Sequence, residues 1–258
     1  MKAKVISVYD EGSLVGTQLI GSRGLAILVD VDGERTLFDT GTRGRYLMRN
    51  LGALEIDPDS VTRVVISHAH AGHVGGLEAF LEKRSEKIDV LTTTDNIDAQ
   101  KKFLGIPSGK ITATAEMSAK MNVIEVTEWT KLSEHLFITG KIPADDGTQE
   151  IEENALILMT KNGPVLICGC CHFGLARMIS FVTATVKKKP AAVIGGTHML
   201  KMKRKEVHAV AETIKKSGPP VMYLNNCTGT NQRTYMREKL GLDAVKEFYA
   251  GTEIRFET

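Results

Sequence analysis

Short apolar runs bounded by glycine or polar residues recur along the chain, and they predict buried β-strands. Each run is rich in Val, Ile or Leu. The runs are Lys4–Val8, Leu25–Val29, Thr36–Phe38, Arg63–Ser67, Leu156–Met159, Val165–Cys168, Ala191–Ile194 and Val221–Leu224. The dipeptide Asp32-Gly33 indicates a hairpin turn, and Ala250-Gly251 predicts a final hairpin that closes with Glu253–Phe256.

Stretches with apolar residues at the helical period lie between these runs. They predict helices at Gly76–Arg84, Asn96–Phe103, Leu175–Lys187, Lys205–Lys216 and Gln232–Leu240. Strands that alternate with helices indicate an α/β fold. The segment 87–141 mixes short apolar runs with polar connections, and we interpret it as a lid or substrate-facing region within a single domain spanning residues 1–258.

Composition and charge narrow the class of protein. A chain of 258 residues can bury a large core without cross-links. Its formal net charge of +2 is too small to favour nucleic acid or a membrane surface as the main partner. No apolar run reaches membrane-spanning length and the N-terminus does not resemble a secretory signal, so we expect a cytoplasmic protein.

Three of the four cysteines, Cys168, Cys170 and Cys171, lie within four positions, and the fourth is Cys227. Cysteines this close together are poorly placed to cross-link separate elements. We therefore expect reduced thiols, acting either as small buried side chains or as groups beside a metal.

Five apolar runs lead directly into small residues and then into a polar or metal-binding side chain. These side chains are Asp39, His68, His172, His198 and Asn225. Ligands of α/β proteins bind in the crevice beyond the carboxyl ends of the strands. The pattern therefore predicts one shared site at these strand ends.

The spacing of the histidines favours a metal at this site. His68 and His70 are two residues apart, so in an extended segment their side chains point to the same side. His73 follows after a glycine, and His172 and His198 end two other strands. Imidazole is the commonest metal ligand. The alternative is that these are hydrogen-bonded core histidines or surface residues.

Three segments of the chain resemble the metallo-β-lactamase superfamily. The first is Phe38-Asp39-Thr40-Gly41, the second runs from Ser67 to Gly76, and the third is the C-terminal strand pair. Within the superfamily the chain is similar to the branch that contains an archaeal dihydropterin-ribofuranosylaminobenzene phosphate synthase. That resemblance is carried by Gly169-Cys170-Cys171-His172, Gly195-Gly196-Thr197-His198 and Asn226-Cys227-Thr228-Gly229. It implies a four-layer αββα sandwich.

The resemblance also implies a ligand set, with two departures from the family pattern. His68, His70 and His172 match the ligands of the family's first metal ion. Gly72 stands where the superfamily motif has an Asp, and Asn226 stands where the branch has its last His ligand. Three imidazoles suffice for a catalytic zinc site, so we predict one ion, zinc before iron or manganese.

Each remaining site residue has a predicted role, and some have more than one. Asp39 is predicted to accept an N–H from a metal-binding imidazole, or else to be a turn residue. His73 is a candidate for proton transfer. His198 is predicted to take part in catalysis, contact substrate or join the metal. Asn226 and Thr228 are predicted to bind substrate, although Thr228 also suits an ordinary helix cap.

The function indicated is a metal-dependent hydrolase or transferase that acts on a small anionic substrate, phosphorylated or pterin-like, through a metal-activated water. The alternative is a non-hydrolytic relative that binds a ligand or a metal without turnover, which the loss of the second-metal ligands favours. The basic run at 201–205 could attract an anion, but a solvated helix start is the more frequent role of such a run.

Overall fold

The computed structural model describes residues 2–93, 97–98, 111–145, 147 and 150–258. Most of its strands form two seven-stranded sheets. The first contains, in spatial order, β18 (Glu253–Glu257), β1 (Lys2–Tyr9), β2 (Ala26–Val31), β3 (Glu34–Phe38), β4 (Arg63–Val65), β5 (Ile88–Thr92) and β8 (Met121–Glu125). The second contains β17 (Val245–Glu247), β16 (Val221–Leu224), β15 (Ala192–Gly195), β14 (Gly163–Cys168), β13 (Ala155–Thr160), β10 (Leu136–Ile138) and β9 (Thr130–Lys131).

Two small sheets, seven α-helices and two 3₁₀ turns complete the regular structure of the described residues. The small sheets pair β6 (Ile97–Asp98) with β7 (Ile111–Thr112) and β11 (Ile142–Asp145) with β12 (Glu150–Glu153). The helices are α1 (Gly44–Ala53), α2 (Ala71–Val74), α3 (Leu77–Glu82), α4 (Ala115–Lys120), α5 (Leu175–Val186), α6 (Arg204–Lys216) and α7 (Thr230–Leu240). No helix among the described residues combines the length and apolar character needed to cross a bilayer.

The alternation of side chains along β2 shows how the four layers arise. Ile27 and Val29 point to a core shared with the second sheet, whereas Ala26 and Leu28 point to a core covered by α1 and α3. The second sheet likewise has an outer face packed against α5, α6 and α7. Because both faces of each sheet are buried at its centre, the central strands are apolar nearly throughout. The predicted αββα sandwich is confirmed.

The hairpin predicted at Asp32-Gly33 joins β2 to β3. Both residues have positive φ, 58° and 79°, and Val31 pairs with Glu34 across the turn. A two-residue turn of this kind matches the right-handed twist of the flanking strands. The turn sets the β2–β3 register and therefore where β3 ends, at Phe38, directly before Asp39.

Two sequence predictions need correction. Glu253–Glu257 does not form a hairpin with the preceding strand; it crosses to the first sheet and pairs antiparallel with β1, whereas β17 pairs with β16 in the second sheet. The helix predicted at 96–103 falls largely outside the described residues, and the part that is described, Ile97–Asp98, is a strand. In both places a tertiary pairing decided the outcome over the local pattern.

The segment 87–141 supplies strands to both large sheets, namely β5 and β8 to the first and β9 and β10 to the second. Its proposed role as a lid stays a prediction. None of its described residues lines the cleft that is presented next.

Candidate metal centre

The site lies where five strands end. Asp39 follows β3, His68 and His70 follow β4, and His172 follows β14. His198 and Cys227 follow β15 and β16. β3 and β4 run parallel to each other, and so do β14, β15 and β16, so each sheet delivers its polar side chains at one edge. The convergence expected from the sequence is therefore present in the fold.

The three predicted metal ligands lie together. One nitrogen from each of His68, His70 and His172 falls within 4.8 Å of the other two. The centroid of the His68 ring lies 4.8 Å from that of the His70 ring and 4.7 Å from that of the His172 ring. In both pairs the ring planes are nearly perpendicular. Three ring nitrogens this close together are candidate ligands of one tetrahedral ion.

His68 is oriented by a hydrogen-bond relay that ends at Asp39. Ser67 Oγ lies 2.9 Å from His68 Nδ1 and donates to Asp39 Oδ2 at 2.7 Å. A hydroxyl that donates to a carboxylate can accept the Nδ1–H of His68, which leaves Nε2 as a lone pair. A Cβ at Gly169 would overlap Ser67 Oγ, so glycine is needed there.

His68 is held in its neutral form. Burial lowers the pKa of His68 well below its usual range, and the neighbouring imidazoles of His73, His172, His70 and His198 lower it further. Neutral imidazole is the form that binds metal.

Asp39 also orients His73. Its Oδ2 lies 2.6 Å from His73 Nδ1, and Oδ1 accepts the backbone N–H of Ser67 at 2.7 Å. His73 Nε2 lies 3.2 Å from Cys170 Sγ. Asp39 thus contacts the imidazole of His73 directly and that of His68 through Ser67.

Glu153, on β12, is a site residue that the sequence analysis missed. Its carboxylate is 2% exposed and accepts the backbone N–H groups of His172 at 2.9 Å and Phe173 at 2.8 Å. Oε2 also lies 3.4 Å from His172 Nδ1. Two backbone hydrogen bonds to one buried carboxylate fix the loop that carries His172. The sequence offered one clue to Glu153. The pair Glu152-Glu153 directly precedes an apolar strand, and acidic side chains are rarely buried.

The other predicted residues take different positions. His198 is exposed at the cleft, with φ 52° and its ring 4.3 Å from that of His172. Thr228 is fully buried, and its hydroxyl accepts a hydrogen bond from Thr197 at 3.0 Å instead of lining the cleft. Asn226 begins a short 3₁₀ turn, and its side chain is outside the described part of the structure. The basic run at 201–205 leads into α6 and does not line the cleft.

The thiols differ in their environments. Cys168 and Cys171 are buried in the core beneath α5, whereas Cys170 and Cys227 line the cleft. Although burial raises the pKa of the Cys227 thiol, hydrogen bonds with Cys170 and with His198 bring it well below its usual range. The same bond with Cys227, together with burial, raises the pKa of Cys170.

A cleft of about 380 Å³ opens over the histidines. His70, His172 and His198 are on its wall, with Gly72, Glu11 and Arg23 near by. Burial raises the pKa of Glu11, and Arg23 opposes that rise. A Cβ on Gly72 would meet only Gly24 Cα at 3.4 Å and Thr42 Oγ1 at 3.9 Å, so this position has room for a side chain but offers no ligand.

The residues fit a metal ion at the three-histidine group. His68 Nε2 and both ring nitrogens of His172 are buried and make no hydrogen bond among the described residues, and His172 Nδ1 lies 3.4 Å from Glu153 Oε2. Burying such atoms without a partner costs free energy, and a cation bound to His68 Nε2 and to one ring nitrogen of His172 would recover part of it.

The fold and the histidine cluster both resemble those of a known superfamily. The family model of the metallo-beta-lactamase superfamily matches residues 20–96, a range that contains Asp39, His68, His70 and His73. The chain has the two-sheet fold of this superfamily, and the resemblance stated from the sequence is confirmed.

Three similar proteins indicate which members of the superfamily the chain resembles. The chain is 22% identical to 7,8-dihydropterin-6-methyl-4-(beta-D-ribofuranosyl)-aminobenzene-5'-phosphate synthase of Methanocaldococcus jannaschii, over 98% of this chain and 96% of the relative. Tm1679, a metal-dependent hydrolase of the β-lactamase superfamily, aligns with a TM-score of 0.75 at 22% identity over 98% of both chains. Zn²⁺-bound PqqB from Methylobacterium extorquens aligns with a TM-score of 0.57 at 13% identity, over 97% of this chain and 99% of that one.

Proposed function

We propose that this protein is a metal-dependent hydrolase or transferase that acts on a small anionic substrate and uses one zinc ion held by His68, His70 and His172. The observation that carries the proposal is the set of buried ring nitrogens on His68 and His172 that make no hydrogen bond among the described residues. A cation at the three-histidine position would bind His68 Nε2 and one ring nitrogen of His172. Zinc-bound PqqB shares the fold.

A zinc ion held by the three histidines would supply a Lewis acid and would lower the pKa of water bound there to about 7. The chain's own residues orient the ligands and move protons. His73 lines the cleft, and Asp39 fixes its ring through the 2.6 Å contact at Nδ1, which leaves Nε2, 3.2 Å from Cys170 Sγ, as the atom to exchange a proton. A carboxylate that orients an imidazole is the arrangement used by catalytic triads.

We infer a single catalytic ion because two ligands of the superfamily's second ion are replaced in this chain. The superfamily's second ion needs a carboxylate where this chain has Gly72, which contributes only backbone there. Asn226 in place of histidine removes a second strong ligand. His73, with Nδ1 already bound to Asp39, is the one family ligand of that ion that remains.

The substrate class is inferred from the cleft and from one relative. Arg23 lines the same cleft as His70 and His172 and provides a cation there. The relative from M. jannaschii has a name that contains both a dihydropterin and a phosphate. A phosphorylated or pterin-like molecule fits both observations.

The test combines metal content with turnover of generic phosphodiester and ester substrates, with and without added zinc or manganese. We expect metal-dependent turnover that His172→Ala abolishes. His208→Ala is the matched control, because His208 bonds Glu238 on the surface, and it should leave turnover unchanged. Turnover that survives His172→Ala would refute the proposal. Zinc binding without turnover of any substrate would instead favour the non-hydrolytic alternative, which the absence of a carboxylate at Gly72 supports.

A further inference from the structure

A second set of metal-binding atoms lies beside the three histidines and has no part in the proposed hydrolysis. It consists of the sulfurs of Cys170 and Cys227 and one ring nitrogen of His198, all within 4.8 Å of one another. The three residues follow the adjacent parallel strands β14, β15 and β16, and all three line the cleft. The fold thus brings together donors from three separate loops.

We propose that Cys170, His198 and Cys227 form a second metal site that takes a thiophilic cation such as zinc and keeps one coordination position open to the cleft. Two thiolates and one imidazole are a ligand set that zinc accepts with a fourth position free. Thiolate ligands select such cations over hard ones such as magnesium. The sequence left several roles open for His198, and in this proposal His198 is a metal ligand.

The distances are compatible with such a site. Zinc–sulfur bonds of about 2.3 Å and zinc–nitrogen bonds of about 2.0 Å place tetrahedral donors roughly 3.5–3.8 Å apart. Donors that already lie within 4.8 Å of one another need to close by about 1 Å at most. Side-chain rotation in the loops that follow the strands can supply this movement.

The local backbone supports both sulfurs. The backbone N–H of His198 donates to Cys227 Sγ at 3.2 Å, a contact that stabilises negative charge on sulfur. A Cβ at Gly196 would lie 2.7 Å from Cys227 Sγ and 3.3 Å from Cys170 Cα. Glycine at 196 is therefore what allows the two cysteines to approach.

This second site is a neighbour of the first and shares no ligand with it. The ring of His198 lies 4.3 Å from that of His172, so the two ions would face the same cleft. The second ion is not the superfamily's second ion, because none of its three ligands occupies the positions of Gly72, His73 or Asn226. The single catalytic ion proposed above and the thiolate ion can therefore be tested separately.

Cobalt(II) titration of the metal-free full-length protein tests the inference, because only a thiolate ligand gives an intense sulfur-to-cobalt charge-transfer band. We expect this band in the wild type and its loss in Cys170→Ser and in Cys227→Ser. Cys168→Ala removes a thiol from the buried core and should keep the band. A wild-type cobalt spectrum without the band, or a band that persists in both serine variants, would overturn the proposal.

A second measurement needs no thiol variant. Zinc should slow the alkylation of Cys227 by iodoacetamide in the wild type at least tenfold, as followed by peptide mass spectrometry, and should do so equally in His70→Ala. An unchanged alkylation rate would contradict the thiolate site. Loss of turnover in His70→Ala with the cobalt–sulfur band intact would support the two proposals separately, whereas turnover retained in His70→Ala would reject only the hydrolytic one.

Discussion

Replacing Asp39 by Asn isolates the carboxylate that orients two of the site imidazoles. Asp39 is fully buried and has φ 63°, a conformation that Asn tolerates better than most residues, so the backbone can stay as it is. The carboxylate accepts three hydrogen bonds, from Ser67 N, Ser67 Oγ and His73 Nδ1, at 2.7, 2.7 and 2.6 Å. The amide of Asn keeps one acceptor oxygen and turns the other position into a donor.

The size of the effect follows from that count. If the remaining oxygen keeps the bond to Ser67 N, the bonds from Ser67 Oγ and from His73 are lost. Hydrogen bonds to a charged group contribute about 1.5–3 kcal/mol each, so the free energy of unfolding should fall by roughly 3–6 kcal/mol. Loss of the relay to His68 should weaken zinc binding by about 10- to 100-fold, the usual cost of removing a partner that orients a metal ligand.

The assay is competition for zinc with a chromogenic chelator, alongside urea denaturation of the metal-free protein. Asp32→Asn is the matched control, since Asp32 also accepts three hydrogen bonds, from Ser133 and His135, at the opposite end of β3. We expect it to lower stability without changing zinc affinity. If Asp39→Asn keeps the wild-type zinc affinity, Asp39 is only structural and the relay has no role in metal binding.

Three further predictions follow from the same site. Gly72→Asp should fold, because a Cβ at position 72 has room. In a variant that also carries Cys170→Ser and Cys227→Ser, it should raise the number of zinc ions bound per chain. An unchanged number would mean that Gly72 is not the reason for a single catalytic ion. Glu153→Gln should weaken zinc binding by about 10-fold or more, since the loop of His172 loses its carboxylate, and an unaltered affinity in chelator competition would exclude that positioning role. The metal-free protein should lose stability as the pH falls below about 6.5. His68 then takes up a proton in the unfolded chain, whereas in the folded protein its lowered pKa keeps it neutral. Urea midpoints at pH 7.5 and 5.5 should differ less in His68→Gln than in the wild type, and equal differences would contradict this account.

Local patterns in the sequence determined much of this protein. Apolar runs identified the central strands because both faces of each sheet are buried, and the turn at Asp32-Gly33 was readable because only a few residues adopt positive φ there. The prediction that His68 and His70 bind a metal came from their place directly after a strand, where alternation puts their side chains on one side. Each of these features depends on residues a few positions apart.

The tertiary structure decided what depends on distant pairing. The closing strand joined β1 instead of β17, because an edge strand pairs with whichever open edge the packed sheets present. Glu153 reaches the loop of His172 only because β12 is folded against it. Cys170 and Cys227 are 57 residues apart and meet because β14, β15 and β16 end at the same edge. Such contacts arise from the packing of whole layers, and no short window of sequence contains the information that sets them.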